Sequence, residues 1–412
     1  MNEVKSNENE FMSTFNGFES YVDQISDTLK APVTLEDAHH HLLGYSNHEN
    51  VKDPVRISTI IGRQVPEKVI NGLWKEGIIP ELMASDKPIR IKRMEEINLN
   101  NRVAISIRNY NDVIGYIWVI EENDELKEDA LIFLAKAAKA MRVPLVQYYS
   151  SKSKREGSYQ DFFWQLLLGN IKSEDEIVKK LNHMNISSSR LFTVMVFRFD
   201  EELVSEFNKQ IIYFLYTTQQ VQVIFHVFDG KDLILLVSTQ LKDSPSQSFH
   251  RFIQSFVSQM SERLKIHDVE AVYGGIYGEF IKVEASYKEA LTVLDIKEKL
   301  PKETQSLYSY NNLGIYQLIN TIHSIRKKEK YENTSLKKIK EYDCLHNQSF
   351  LETLETYLDN DSNTYEAAKA LHIHTNTLNY RLKRIGEISD LDLKDFSQKM
   401  SIYLDLKIEK LI

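Results

Sequence analysis

Apolar residues recur along this chain with three different rhythms, and each rhythm marks a different kind of element. Between residues 11 and 29, Phe15, Phe18, Val22, Ile25 and Leu29 fall three or four apart, the spacing that lines one face of a helix. Pro32 stops it. Residues 33–45 read as extended chain with turns, and Pro66 stands at the opening of a helix that runs through Trp74. Residues 102–107 alternate apolar with polar, 109–112 supply turn chemistry, and 113–120 resume as an apolar run, which together predict a hairpin. A long helix follows over 126–146, with Leu131, Leu134, Ala138, Met141 and Leu145 along one side.

Helices, strands and a central hairpin within about 130 residues predict an α/β sensor fold of the GAF or PAS kind, placed at residues 1–150. The rhythm then fails across the polar run 150–158 (Ser-Ser-Lys-Ser-Lys-Arg-Glu-Gly-Ser), so 151–158 reads as a linker. A second α/β block occupies 159–310. It has helices at 159–168, 173–184, 249–264 and 285–294, strands at 191–199 and 221–228, and a glycine-interrupted strand at 271–277. Its own hairpin turns at Asp229-Gly230 into 233–237. From Asn312 onward the strands cease, and 311–412 reads as helical throughout, with the charge run 326–330 as the solvated end of one helix. The fold class is therefore multidomain α/β followed by an all-α domain.

The last of these domains carries the sharpest signal. Phe350, Leu351, Leu354, Tyr357 and Leu358 stripe one helix, and 359–363 (Asp-Asn-Asp-Ser-Asn) ends it. Thr364 can cap a short second helix with Ala367, Ala368 and Leu371 inward, where small alanines let two helices cross closely. His372-Ile373-His374 makes a turn, and Thr375 is a natural cap for a third helix through Ile385, ended by Gly386. On that helix Leu378, Leu382 and Ile385 bury one side. The other presents Asn376, Thr377, Asn379, Tyr380, Lys383 and Arg384, with Arg381 at its border and His374 and Thr375 at its start. Amides and hydroxyls suit base edges, and arginine and lysine suit guanine or phosphate. An ordinary bundle would mix more acid into such a face, so residues 350–384 are read as a helix-turn-helix that binds DNA, with Asn376 and Thr377 nearest the groove.

The strings Leu351-Glu-Thr-Leu-Glu-Thr-Tyr-Leu-Asp359, Ala367-Ala-Lys-Ala-Leu-His-Ile-His374, Asn376-Thr-Leu-Asn-Tyr-Arg-Leu-Lys-Arg-Ile385 and Leu391-Asp-Leu393 resemble the PucR/CdaR family of bacterial regulators. The resemblance is strong over roughly the last sixty residues and holds in outline elsewhere. It implies a sensory domain, a middle domain like degenerate diguanylate cyclases and a C-terminal helix-turn-helix. It also implies activation of genes for uptake or breakdown of a small metabolite. Within that family the layout is similar to activators of proline utilisation, so proline is the first effector to expect.

An active cyclase of that kind needs a metal-binding carboxylate in a Gly-Gly-Asp/Glu-Glu-Phe turn. Here the matching turn is Asp229-Gly230-Lys231-Asp232-Leu233, and a lysine at that place repels magnesium. The run Gly274-Gly275-Ile-Tyr-Gly-Glu-Phe280 has two extra residues and reads as a strand end. No enzymatic activity, catalytic residue, metal or cofactor is expected. His39-His40-His41 reads as a solvated turn rather than a metal site, and Trp74, Trp118 and Trp164 read as core. The single cysteine, Cys344, has no partner for a disulfide.

Composition changes the picture little: 42% hydrophobic and 27% charged residues are ordinary globular usage. A formal net charge of −8 argues against indiscriminate coating of nucleic acid but leaves room for one small basic face. The polar start and the short apolar runs predict a cytoplasmic protein with no membrane partner. Arg90, Arg102, Arg108, Tyr116 and Trp118 are candidate effector-binding residues, although strand alternation puts Arg102, Ala104, Ser106 and Arg108 on one face whose plainest reading is solvent. The expected partners are double-stranded operator DNA, a small effector, RNA polymerase if the protein activates, and a second copy of the chain. The alternatives are a repressor of the same build, or a nucleotide-binding signalling enzyme with a helical oligomerisation tail.

Overall fold

The computed structural model of the chain describes residues 17–48, 53–121, 125–186, 191–199, 201–239 and 244–410. The chain divides into two compact units, Met1–Ala271 with Ile276–Glu284, and Val272–Gly275 with Ala285–Ile412.

The first unit opens with α1 (Phe18–Leu29), β1 (Val33–Asp37) and β2 (Leu42–Tyr45), then three short helices, α2 (Pro54–Gly62), α3 (Glu67–Lys75) and α4 (Ile78–Ala84). Strand β3 (Ile89–Ile91) precedes the predicted hairpin of β4 (Arg102–Asn109) and β5 (Asp112–Ile120). The five strands form one antiparallel sheet in the order 2-1-5-4-3, a mixed α/β architecture of the expected GAF/PAS-like kind. Side chains alternate across it. Val33, Leu35, Val103, Ile105, Ile107, Ile117 and Val119 pack on α1 and on α5 (Glu128–Leu167). Gly115 lies where a Cβ would meet the Glu36 carbonyl oxygen at 2.7 Å, so only glycine lets β1 and β5 pair so closely there.

The opposite face is not solvent. Arg102, Ala104 and Ser106 are buried. Arg102 Nη2 donates to Asp53 at 2.9 Å, Ser106 Oγ to the Ser85 carbonyl at 2.7 Å, and Arg108 Nη1 to the Met83 carbonyl at 2.8 Å. The reason is that α2–α4 have apolar stripes of their own, including Val55, Val69, Leu73 and Leu82, which bury against this side of the sheet.

Helix α5 is longer than the periodicity predicted. It passes through Pro144 and the run 151–158 and ends at Leu167, 40 residues in all. The run 151–158, read from the sequence as a linker, is therefore helical. Losing the apolar rhythm removes a packing face, but lysine, arginine and glutamate remain good helix formers.

The middle block contributes α6 (Glu174–His183), β6 (Phe192–Arg198), α7 (Glu201–Thr217), β7 (Gln222–Asp229), β8 (Asp232–Ser238), α8 (Pro245–Gln259) and β9 (Glu270–Tyr273), its strands ordered 7-8-6-9. β7 and β8 form the predicted hairpin around Asp229-Gly230. Then come α9 (Val283–Lys299), α10 (Pro301–Thr304) and α11 (Tyr316–Glu329). Arg326 is no solvated end, because it pairs with Asp405 and lies 4.7 Å from the Tyr331 ring centre. The chain closes with α12 (Thr334–His346), α13 (Phe350–Asp359), α14 (Thr364–Ala370), α15 (Thr375–Ser389) and α16 (Phe396–Glu409).

Candidate functional site

Helices α13, α14 and α15 form the helix-turn-helix. Ala367, Ala368 and Leu378 are buried at the crossing, with Tyr357, Leu371, Ile373 and Leu382 around them. A second cluster ties α13 and α15 to α12 and α16 through Leu336, Ile339, Phe350, Leu354, Ile385, Ile402 and Leu406. The recognition geometry therefore rests on five helices, of which the sequence reading singled out three.

Both caps sit one residue before the threonines expected. Asn363 Oδ1 accepts from the backbone N–H groups of Tyr365 and Glu366 at the start of α14. His374 Nδ1 accepts from Asn376 N–H at 3.2 Å at the start of α15. Asparagine is at least as good a cap as threonine, and the threonines fall inside the first turn. Nor does Gly386 end α15, which continues to Ser389 and closes on Asp390 in the left-handed region. A Cβ at Gly386 would lie 3.1 Å from the Leu391 carbonyl oxygen, so this glycine serves close approach.

On α15 the side chains of Asn376, Thr377, Asn379, Tyr380 and Lys383 are exposed, as is His374 before it. Thr375, Arg381 and Arg384 are half-buried. Arg381 Nη1 donates to Thr353 Oγ1 at 3.1 Å, bracing α15 on α13. Arg384 donates to Glu387 at 2.8 Å and lies over the Tyr342 ring, and hydrogen bonds to both groups raise its guanidinium above its ordinary range. Glu387 is the one acid in α15, and it is already paired. Exposed Tyr365 and Lys369 on α14 went unnoticed in the sequence, since a seven-residue helix shows too little periodicity to separate its outer face.

The candidate sensor residues scatter. Arg90 is on β3, bound to Glu121 and to the Leu126 carbonyl. Arg108 holds the carbonyls of Met83 and Asn111 at the hairpin end. Arg102, Tyr116 and Trp118 come together on the face beneath α2 and α3, where Thr34, Glu36, Arg102 and Trp118 border a small cavity of about 20 Å³. Trp118 Nε1 donates to Glu36 Oε2 at 2.9 Å. Burial lowers the Arg102 guanidinium below its ordinary value, against the opposing charge and hydrogen bond of Asp53 and the charge of Glu36. Burial likewise raises the Tyr116 hydroxyl. Glu36 and Asp53 were missed by sequence reasoning, although two adjacent acids in the strand 33–37 and an aspartate before Pro54 were visible signals.

The histidine triplet is not a solvated turn either. His40 is fully buried, with Nδ1 2.8 Å from Glu36 Oε2, Nε2 2.8 Å from the Tyr213 hydroxyl of α7, and its ring stacked on Tyr116.

Residues 350–408 match the PucR C-terminal helix-turn-helix domain. The DNA-binding transcriptional activator AdeR of Bacillus subtilis (strain 168) is 44% identical over 398 residues, covering 97% of this chain and 94% of AdeR. This chain belongs to the PucR family of transcriptional regulators. The proline-responsive transcriptional activator PutR of the same organism is 29% identical, covering 96% of this chain and 97% of PutR. The purine catabolism regulatory protein, also from Bacillus subtilis, is 21% identical over 96% of this chain and 72% of its own length. In this PucR-family chain residues 168–296 match a GGDEF-like domain. Its hairpin turns through Asp229-Gly230-Lys231-Asp232, with Lys231 exposed. Among the described residues, no helix is long and apolar enough to cross a membrane.

Proposed function

We propose that the protein is a ligand-responsive transcription activator of catabolic or uptake genes, with proline the first effector to test. The observation that carries this reading is the outer face of α15, polar and basic with its single acid already paired to Arg384. His374, Thr375, Asn376, Thr377, Asn379, Tyr380, Arg381, Lys383 and Arg384 are the proposed contact set. Within it, Arg381 acts through the α13 brace, and Asn376 and Thr377 sit at the helix start that enters the groove. Residues 1–150 sense the effector, 151–158 connect helically to the middle domain at 159–310, and 311–412 read DNA. Two copies would engage paired half-sites about one helical turn apart, or a multiple of it, and present RNA polymerase with the activating complex in the cytoplasm. The GGDEF-like domain has no enzymatic role in this reading.

The test is a mobility shift of the full-length protein on DNA upstream of its own and neighbouring genes, with and without proline, followed by footprinting. A specific shift over two repeated half-sites is expected. Binding no tighter than to unrelated DNA would sink the reading.

A further inference from the structure

We infer that the small cavity beneath α2 and α3 takes the zwitterionic head of a small aliphatic α-amino acid, with Glu36 receiving the ammonium group and Arg102 the carboxylate. This rests on the ligand-responsive reading and names its ligand class and site. Both side chains are buried, at 3% and 5% exposure, where an unmatched charge is costly. Glu36 uses one carboxylate oxygen, Oε2, for Trp118 and His40, and its Oε1 has no partner among the described residues. Arg102 commits Nη2 to Asp53 and Nε to the Asn100 carbonyl, and its Nη1 has none. An acceptor and a donor thus remain on two residues that line the same small space. Around them Val55, Val69 and Leu73 form an apolar wall. A ligand bearing one charge only would satisfy one of the two groups; an amino acid satisfies both, and the wall takes its side chain.

The wider cleft of about 770 Å³ at the hairpin end, bordered by Arg108, Lys139 and Arg142, is larger, but Lys139 and Arg142 are exposed to water that screens them. At about 20 Å³ the cavity holds about one water, so an amino acid enters only as α2 or α3 shifts outward. That shift has a route onward. Trp74 of α3 packs on Phe214 of α7 with ring centres 5.2 Å apart, Gln64 donates to the Tyr216 carbonyl, and Glu36 reaches Tyr213 through His40. The group that receives the ammonium is therefore one bonded residue away from the middle domain.

Isothermal titration of the full-length protein with L-alanine, L-valine and L-proline tests the assignment. Propionate, which lacks the ammonium, and ethylamine, which lacks the carboxylate, are the controls. At least one amino acid should bind saturably and neither control should. Glu36→Gln should weaken that binding on the order of tenfold or more. Should Glu36→Gln lose the wild-type cooperative melt, Thr34→Val, which keeps the shape of the cavity edge, should weaken it at least roughly threefold. No binding by any of the three, controls that bind equally well, or a folded variant with wild-type affinity would each overturn the assignment. The mobility shift separates the two readings. DNA binding that responds to another class of metabolite while amino acids fail leaves the regulator standing and removes the zwitterion site. Amino-acid binding without any specific DNA shift does the reverse.

Discussion

At the residue scale, the same side-chain types do opposite work according to what surrounds them. Lys383 is exposed with no partner among the described residues, while Arg384, one position on, is held by Glu387 and Tyr342. Lys383→Ala and Arg384→Ala should each weaken DNA binding uniformly across sequences and reduce the salt slope by about 1, measured by titration at several salt concentrations. An unchanged slope takes that residue off the contact set. Asp37 illustrates burial losing to charge. Desolvation pushes its carboxyl up, but the hydrogen bond and charge of His41, with His39 nearby, hold it at about 2 instead of 3.8. A carboxyl depressed on folding stabilises the folded state above its unfolded pKa, and that stability drains away as pH falls from about 4 to about 2. The shift corresponds to roughly 2 kcal/mol. Asp37→Asn should therefore flatten stability against pH in that window, followed by denaturant unfolding, and wild-type and variant curves of equal steepness would refute it.

At the element scale, the strongly periodic helices and the two hairpins were legible, but α7 (17 residues) and α12 (13 residues) went unread, and other errors fall at ends and on short pieces. The caps moved by one residue because threonine and its neighbour are both competent and only the backbone angles choose. Asn363→Ala should cost about 1 kcal/mol of helix-turn-helix stability and Thr364→Ala less than about half of that, compared by thermal melting. The reverse order would restore the threonine as cap. Helix α5 could not be followed past residue 146 in the sequence, because apolar rhythm reports packing and not helicity. Its proline was no barrier either: Pro144 is buried within the helix.

At the scale of the whole molecule, the charge of −8 and the basic outer face of α15 coexist because recognition depends on local potential. The hairpin turn of the GGDEF-like domain carries Lys231, whose charge would repel magnesium. The purified protein should make no cyclic dinucleotide from GTP and magnesium, and any product detected by chromatography would reopen the enzymatic reading. The outer face of α15 was legible because it lies on one continuous helix, where spacing alone decides which residues share a face. The small cavity beneath α2 and α3 was not, since Thr34, Glu36, Val55, Arg102 and Trp118 come from four separate elements.

What the sequence by itself determined was local and periodic: the helix-turn-helix with its alanine crossing, the two hairpins, the change from mixed α/β to all-helical, and the family resemblance its motifs carry. Tertiary structure alone decided which sheet face is covered, that His40 is buried against Glu36 and Tyr213, and that Arg102 faces a cavity instead of water. Periodicity assigns residues to the two sides of a strand. Which side meets solvent depends on where α2–α4 fold back, a long-range contact that no spacing along the chain encodes.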